Sequence, residues 1–254
     1  MDLPNIETYL QPNTIQDIPK WEKGWTWLSG GTWLFSEPQP DIKVVVDTQN
    51  LGWSEITIQE NYLIIGATCP LIKILEYPWL PEWTAIAGLK AAVSSLTASL
   101  KIINIATVGG NICLALSVGT LAPVMVALDA TYEIWDLTGK SYQIAAKDFQ
   151  LGHKTTILKP GEILRKILIP LTNLQWKINY QRLSIAANDP ALAIVVTAKN
   201  QENIRCVIAA SVPAPRLLAS EDLATENFIN DSKASADYRR ELTKILIKRS
   251  FANL

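Results

Sequence analysis

One histidine and three cysteines among 254 residues leave little material for imidazole or thiol chemistry. Cys69, Cys113 and Cys206 lie far apart and no C-x-x-C pair occurs. The chain is therefore not expected to hold zinc or an iron–sulfur cluster alone, and buried thiols in a reducing compartment are expected instead. A Ser-His-Asp triad or a multi-histidine metal site would have to be built on His153, and no nucleophile-elbow motif supports one. His153 is read as a surface-loop residue; no catalytic residue and no metal ligand is assigned. An excess of positive charge is also missing: 23 Lys and Arg against 24 Asp and Glu give a net charge of −1. That argues against a nucleic-acid partner held by a basic field. No apolar run approaches the roughly 18 residues of a membrane span. The start, Met1-Asp2-Leu3-Pro4-Asn5, has neither a basic nor an apolar signal region, so no secretory signal and a cytoplasmic location are expected. Repeats and low-complexity tracts are absent.

What is present is a globular composition, 48% hydrophobic and 19% charged. Two glycine pairs stand out: Ser29-Gly30-Gly31-Thr32 and Thr107-Val108-Gly109-Gly110-Asn111. Each follows an apolar stretch, and hydroxyl or amide side chains flank the glycines. Without a Cβ the backbone bends sharply and its N–H groups converge on an anion. Two such loops on one chain predict a diphosphate held from both sides, hence a dinucleotide-type cofactor, with Gly110 a candidate for positive φ. Nine tryptophans, four of them early (Trp21, Trp25, Trp27, Trp33), read as core or interface anchors, with stacking on a flavin as the other use.

Along the chain, residues 13–23 read as a short helix interrupted at Pro19. Residues 25–28 read as a strand feeding the first glycine loop, and residues 41–47 and 62–66 as further strands. From residue 82 to 101, Trp83, Ile86, Leu89, Val93, Leu96 and Leu100 recur at helical spacing, with Pro81 at the start. Residues 121–130 read as a second helix with Pro123 in its first turn. Residues 132–135 and 142–145 flank the turn Leu137-Thr138-Gly139-Lys140 as a hairpin. A boundary is expected near residues 170–176. Beyond it lie two apolar strands, 192–198 and 204–211, and a helix in which Tyr238, Leu242, Ile245 and Leu246 share a face. The class is α+β with a distinct C-terminal piece.

The ordered set of motifs resembles one family. It comprises Ser29-Gly30-Gly31-Thr32, Ile65-Gly66-Ala67-Thr68, Asn104 through Ile112, Pro123 with Ala127-Leu128-Asp129-Ala130, residues 151–158 and Gly161-Glu162-Ile163-Leu164. The family is the FAD-binding (medium) subunit of the molybdenum hydroxylases, which includes xanthine dehydrogenase and the flavoprotein subunit of aerobic carbon monoxide dehydrogenase. The resemblance runs from Tyr9-Leu10-Gln11-Pro12 to Pro213-Ala214-Pro215-Arg216. It implies a two-subdomain FAD-binding domain of the vanillyl-alcohol oxidase type over residues 1–172, with subdomains of about 1–55 and 56–172. A carbon monoxide dehydrogenase flavoprotein-like C-terminal α+β domain with a three-stranded sheet would fill 173–254.

The resemblance also implies an oxidoreductase subunit that binds FAD through Leu28, Ser29, Gly30, Gly31, Thr32, Trp33, Leu34, Ala106, Thr107, Val108, Gly109, Gly110, Asn111, Ser117, Thr120, Ile163 and Arg182. Thr32, Thr107 and Asn111 would add neutral donors, and Asn111 would brace its own loop. Molybdopterin and [2Fe-2S] clusters would lie in partner subunits of a heteromeric complex, the flavin passing electrons to a final acceptor. The flavin does the redox chemistry, so no acid–base pair is needed here. The chain departs from the family pattern at five places. Ser117 and Thr120 replace a Pro and an Asp, Ile103 replaces an Arg, Trp33 replaces a polar residue, and Ile185-Ala186 stand where a later Arg is missing. A flavin-poor subunit that scaffolds such a complex, and a free-standing flavoprotein, are the alternative readings.

Overall fold

The computed structural model describes residues 3–220 and 222–254; Met1 and Asp2 of the N-terminal stretch lie outside the described residues. Strands β1 (Thr8–Leu10), β2 (Trp25–Leu28) and β3 (Val44–Asp47) form a parallel sheet with β3 in the centre. Every residue of β3 is buried, as a β-branched run covered on both faces should be. The segment expected as a helix at 13–23 is a single 3-10 turn, Ile15–Asp17. The Asp17 carboxylate accepts the N–H groups of Asn13 (2.9 Å) and Thr14 (2.8 Å), and Ile18 is already extended ahead of Pro19.

The hairpin of β4 (Ile56–Gln59) and β5 (Tyr62–Gly66) opens a larger unit. Helices α1 (Leu71–Glu76), α2 (Ile86–Ser94), α3 (Leu100–Ile105), α4 (Val108–Cys113) and α5 (Leu121–Ala127) follow. Then come the hairpin β6 (Thr131–Trp135) and β7 (Ser141–Ala145), the short α6 (Ala146–Phe149), the ribbon β8 (Gln150–Gly152) with β9 (Thr155–Thr156), and β10 (Ile163–Pro170). Strand β10 inserts between β5 and β6, giving an antiparallel sheet of order β4-β5-β10-β6-β7. The helix expected over 82–101 is two helices. Thr97 takes φ +52 and Ser99 caps α3 by accepting the Ile102 N–H. Leu89 and Val93 are fully buried while Leu100, past the break, is 72% exposed.

After α7 (Leu171–Leu174), the strands β11 (Lys177–Leu183), β12 (Ala193–Lys199), β13 (Ile204–Ala209) and β14 (Arg216–Leu217) form an antiparallel sheet in chain order. It has four strands rather than three, because β14 pairs over only two residues, too few to show alternation in sequence. Ile194, Val196 and Ala198 of β12 belong to the core shared with α2 and α5. Ala193 and Val195 belong to the core under α8 (Ala236–Ala252). Both faces are covered, so residues 193–198 are all buried and, Thr197 apart, apolar. The buried face of α8 is Arg239, Leu242, Thr243, Leu246, Ile247 and Ser250, whereas Tyr238 and Ile245 point out. The expected face is therefore corrected. Thr243 donates to the Arg239 carbonyl (2.7 Å) and Ser250 pairs with Thr197 (2.6 Å), so polar side chains sit inside with partners.

Candidate functional site

A cleft of about 950 Å³ separates the parallel sheet from the larger unit, a size within the range of small-molecule and cofactor sites. Strand β2 delivers the first glycine loop to one wall. The α3–α4 junction delivers the second loop, and Thr120 opens α5 beside it. The two loops touch directly. Ser29 and Thr107 share a hydroxyl–hydroxyl bond of 2.9 Å, and a Cβ on Gly30 would run into the Ile105 carbonyl oxygen. Glycine is required at position 30 by this close approach.

The loops do different work. In the second, the Val108 N–H donates to the Cys69 carbonyl (2.9 Å), that of Gly109 to Ala67 (2.8 Å) and that of Asn111 to Thr107 (3.0 Å). The Gly110 N–H is capped by the Thr107 hydroxyl at 3.0 Å. These amides are spent inside the protein, on the first turn of α4. In the first loop, the backbone amides of Gly30, Gly31, Thr32, Trp33 and Leu34 have no partner among the described residues. The turn is closed instead through the Gly31 and Trp33 carbonyls, which accept from Phe35 (3.0 Å) and Ser36 (2.9 Å). With Gly31 at φ +67, this run of free donors has the character of an anion-binding nest. The expectation of two donor loops is thereby corrected: one loop offers amides, the other offers room. Gly110 is not at positive φ, and a Cβ there meets only the Thr107 hydroxyl, at 2.9 Å. Gly109, by contrast, packs against Ala67.

The residues named from sequence line the cleft with two exceptions. Val108 is fully buried in the core. Ser117 is buried and hydrogen-bonds His153 Nδ1 at 3.0 Å, its N–H adding a second contact at 3.3 Å. His153 is exposed, as expected, and no carboxylate bonds it among the described residues. Asn111 braces a more distant point than its own loop, accepting the Leu121 N–H at 3.3 Å. Arg182 reaches the cleft while its guanidinium donates to Ser184 (3.0 Å) and to the carbonyls of Ala187 (3.4 Å) and Asp189. Thr97, Ile102, Cys113, Lys154 and Asn188 also line the cleft and were missed. They come from unrelated segments, and only Lys154 lies in a run that carried the resemblance.

Cys69 and Cys113 are unbridged thiols, pushed up by burial to about 11 and about 12 respectively, which keeps them protonated and unreactive near neutral pH. No cluster of His, Cys, Asp or Glu fit for a metal occurs among the described residues, and no described helix is long and apolar enough to cross a membrane. The tryptophans mostly pack on one another, Trp21 stacking on Trp27 at 4.5 Å and Trp53 meeting Trp135 edge-on at 5.6 Å. Trp27 and Trp33 do line the cleft.

Thr120 is 4% exposed and its hydroxyl has no hydrogen-bond partner among the described residues. A hydroxyl buried in a cleft wall without a partner is costly unless a ligand supplies one. Thr120→Val, nearly isosteric, is expected to raise the melting temperature of the ligand-free chain. The same change is expected to weaken cofactor binding about 2- to 12-fold. Parallel thermal melts and fluorescence titrations check the pair of signs.

Residues 4–172 match a family model described as the FAD binding domain in molybdopterin dehydrogenase. A xanthine dehydrogenase of Oryza sativa subsp. japonica is 45% identical over 75 residues, which is 30% of this chain and 6% of that protein. The nicotinate dehydrogenase FAD-subunit of Eubacterium barkeri is 30% identical over 151 residues, covering 56% of this chain and 49% of the relative. The chain thus spans about half, or far less, of these curated relatives. A solved carbon monoxide dehydrogenase chain of Hydrogenophaga pseudoflava superposes with a TM-score of 0.87, covering 99% of this chain and 98% of that one, at 18% identity. At that identity the likeness speaks for the fold.

Proposed function

The chain belongs to the family of FAD-binding domains of molybdopterin dehydrogenases, and from that premise we propose that its cleft holds FAD and that it serves as the flavin-bearing subunit of a molybdenum hydroxylase-type oxidoreductase. The observation that carries the reading is the cleft itself. Five consecutive amides at residues 30–34, without a partner among the described residues, suit a diphosphate. Gly110 leaves open space, and the orphaned Thr120 hydroxyl awaits a polar group such as a sugar hydroxyl. Backbone donors bind a dianion without a cluster of lysines. When bound, the flavin supplies the redox chemistry; this chain binds and orients it.

Under this reading, the bound flavin would receive electrons from [2Fe-2S] clusters of one partner subunit, supplied in turn by a molybdopterin subunit, and would pass them to a final acceptor, while this chain's residues hold and orient it. The complex is placed in the cytoplasm. The FAD-binding part is the vanillyl-alcohol oxidase-type domain of residues 1–172, in subdomains of about 1–55 and 56–172, and residues 173–254 form the C-terminal domain. Flavin released by heat from the purified chain is expected to run as FAD on chromatography. Recovery of FMN alone would overturn the cofactor assignment. Failure to take up any flavin on reconstitution, with partners still co-purifying, would favour the scaffold reading that the absent carboxylate at Thr120 raises.

A further inference from the structure

Lys154 occupies the turn between β8 and β9, and Trp33 follows the first glycine loop. They belong to different walls of the cleft and both line it. The Lys154 ammonium lies 5.1 Å from the centre of the Trp33 ring, within the range of a cation–π contact. Lys154 holds φ +54, a conformation that a long side chain adopts at a cost and that glycine or asparagine fills more readily. Its own N–H donates to the Ala115 carbonyl at 2.8 Å, which pins the turn to the segment between α4 and α5. The side chain is exposed, and no carboxylate pairs with it among the described residues. A lysine held in left-handed backbone, with its charge directed onto an aromatic face of the opposite wall, joins the two walls at their solvent edge. The Ser29–Thr107 bond joins them where the glycine loops meet.

We propose that Lys154 and Trp33 form a clasp across the cleft, which must open for the cofactor to enter or leave and so sets its exchange rate. This rests on the reading that the cleft holds FAD. In this proposal the clasp closes over the empty and the filled cleft alike. A clasp of that kind slows entry and exit by similar factors and leaves the affinity nearly unchanged. A direct charge contact to the ligand would instead appear in the release rate and in Kd together.

The test uses the full chain freed of flavin and FAD as the probe. Association is followed by stopped-flow quenching of flavin fluorescence and release by its recovery on dilution. Lys154→Gln is expected to speed association and release by about 2- to 30-fold, the range of one cation–π contact, with Kd shifting by much less; Trp33→Leu, at a residue that also lines the cleft, is expected to speed both steps by a similar factor and serves for the rates alone. The double variant should be no faster than the faster single one, because both remove the same contact. Lys154→Gly relieves the backbone while deleting the charge. It should exchange as fast as Lys154→Gln with an unchanged or higher melting temperature, which separates the clasp from general damage to the fold. Unchanged rates, additive effects in the double variant, or faster release in Lys154→Gln with Kd weakened by the same factor would each overturn the clasp. A wild-type chain that takes up no FAD would overturn the cofactor reading and the clasp with it.

Discussion

Gly110→Val is expected to yield a folded chain that no longer retains FAD. The residue sits in the first turn of α4 with ordinary helical backbone, so valine meets no conformational barrier there. Its Cβ finds only the Thr107 hydroxyl within 4 Å, and the rest of the side chain extends into the cleft. The folding cost is about that of a perturbed helix cap, roughly 0.5–2 kcal/mol. Filling space that the ligand needs costs about 1–3 kcal/mol of binding, an affinity loss of about 5- to 150-fold. Circular dichroism should match wild type while flavin absorbance disappears after gel filtration. Gly109→Ala and Gly30→Ala are the contrasting variants. Their new methyl groups meet Ala67 and the Ile105 carbonyl respectively, so both should lose fold and flavin together. A Gly110→Val protein with one FAD per chain would show that position 110 does not face the ligand.

The second large effect is on stability. Arg239 is 3% exposed and donates to the carbonyls of Leu192 (2.8 Å) and Ala210 (3.2 Å) and to both oxygens of Asp231 (3.0 and 2.9 Å). One side chain ties α8 to the ends of β12 and β13. Arg239→Ala orphans two carbonyls and leaves a void, and losses from breaking such buried pairs run to about 3–5 kcal/mol. Asp231 is partly exposed and water recovers its charge, so about 3 kcal/mol is the better expectation, a large share of a total of about 5–15 kcal/mol. Urea unfolding should show the loss.

The effect also depends on pH. Burial pushes the Asp231 carboxyl up, but the Arg239 guanidinium and the amides of Lys233 and Ala234 outweigh it and hold it below its ordinary value. A carboxylate lowered in the folded state contributes stability that is fully present above its unfolded pKa of about 3.9. That contribution is lost as pH falls through the folded value. The difference between wild type and Arg239→Ala should therefore be constant near neutrality and narrow below about pH 4. A difference independent of pH would mean that the guanidinium acts through the two carbonyls alone.

Much of this molecule is legible in the amino-acid order, and the legible parts share a cause. The β-branched run of β3, the hairpin around Gly139 and the loop at Gly30-Gly31 follow from strand periodicity, turn chemistry and missing Cβ atoms, whereas Gly109-Gly110, read as a loop, lies in the first turn of α4. These act within a few residues of chain, and the ordered motifs carried the family. What only the tertiary structure decided depends on neighbours distant in sequence. The amides around the second glycine pair are consumed because Cys69 and Ala67 come to lie beneath it, while those of the first loop have no partner among the described residues. The buried face of α8 includes Arg239, Thr243 and Ser250 because Leu192, Ser211 and Thr197 offer partners there, which a hydropathy pattern does not register. Lys154 meets Trp33, 121 positions earlier (154 − 33), only because the β8–β9 turn is pinned to Ala115. Local backbone preference is written in local composition; the satisfaction of a polar group is settled by whatever the fold brings against it.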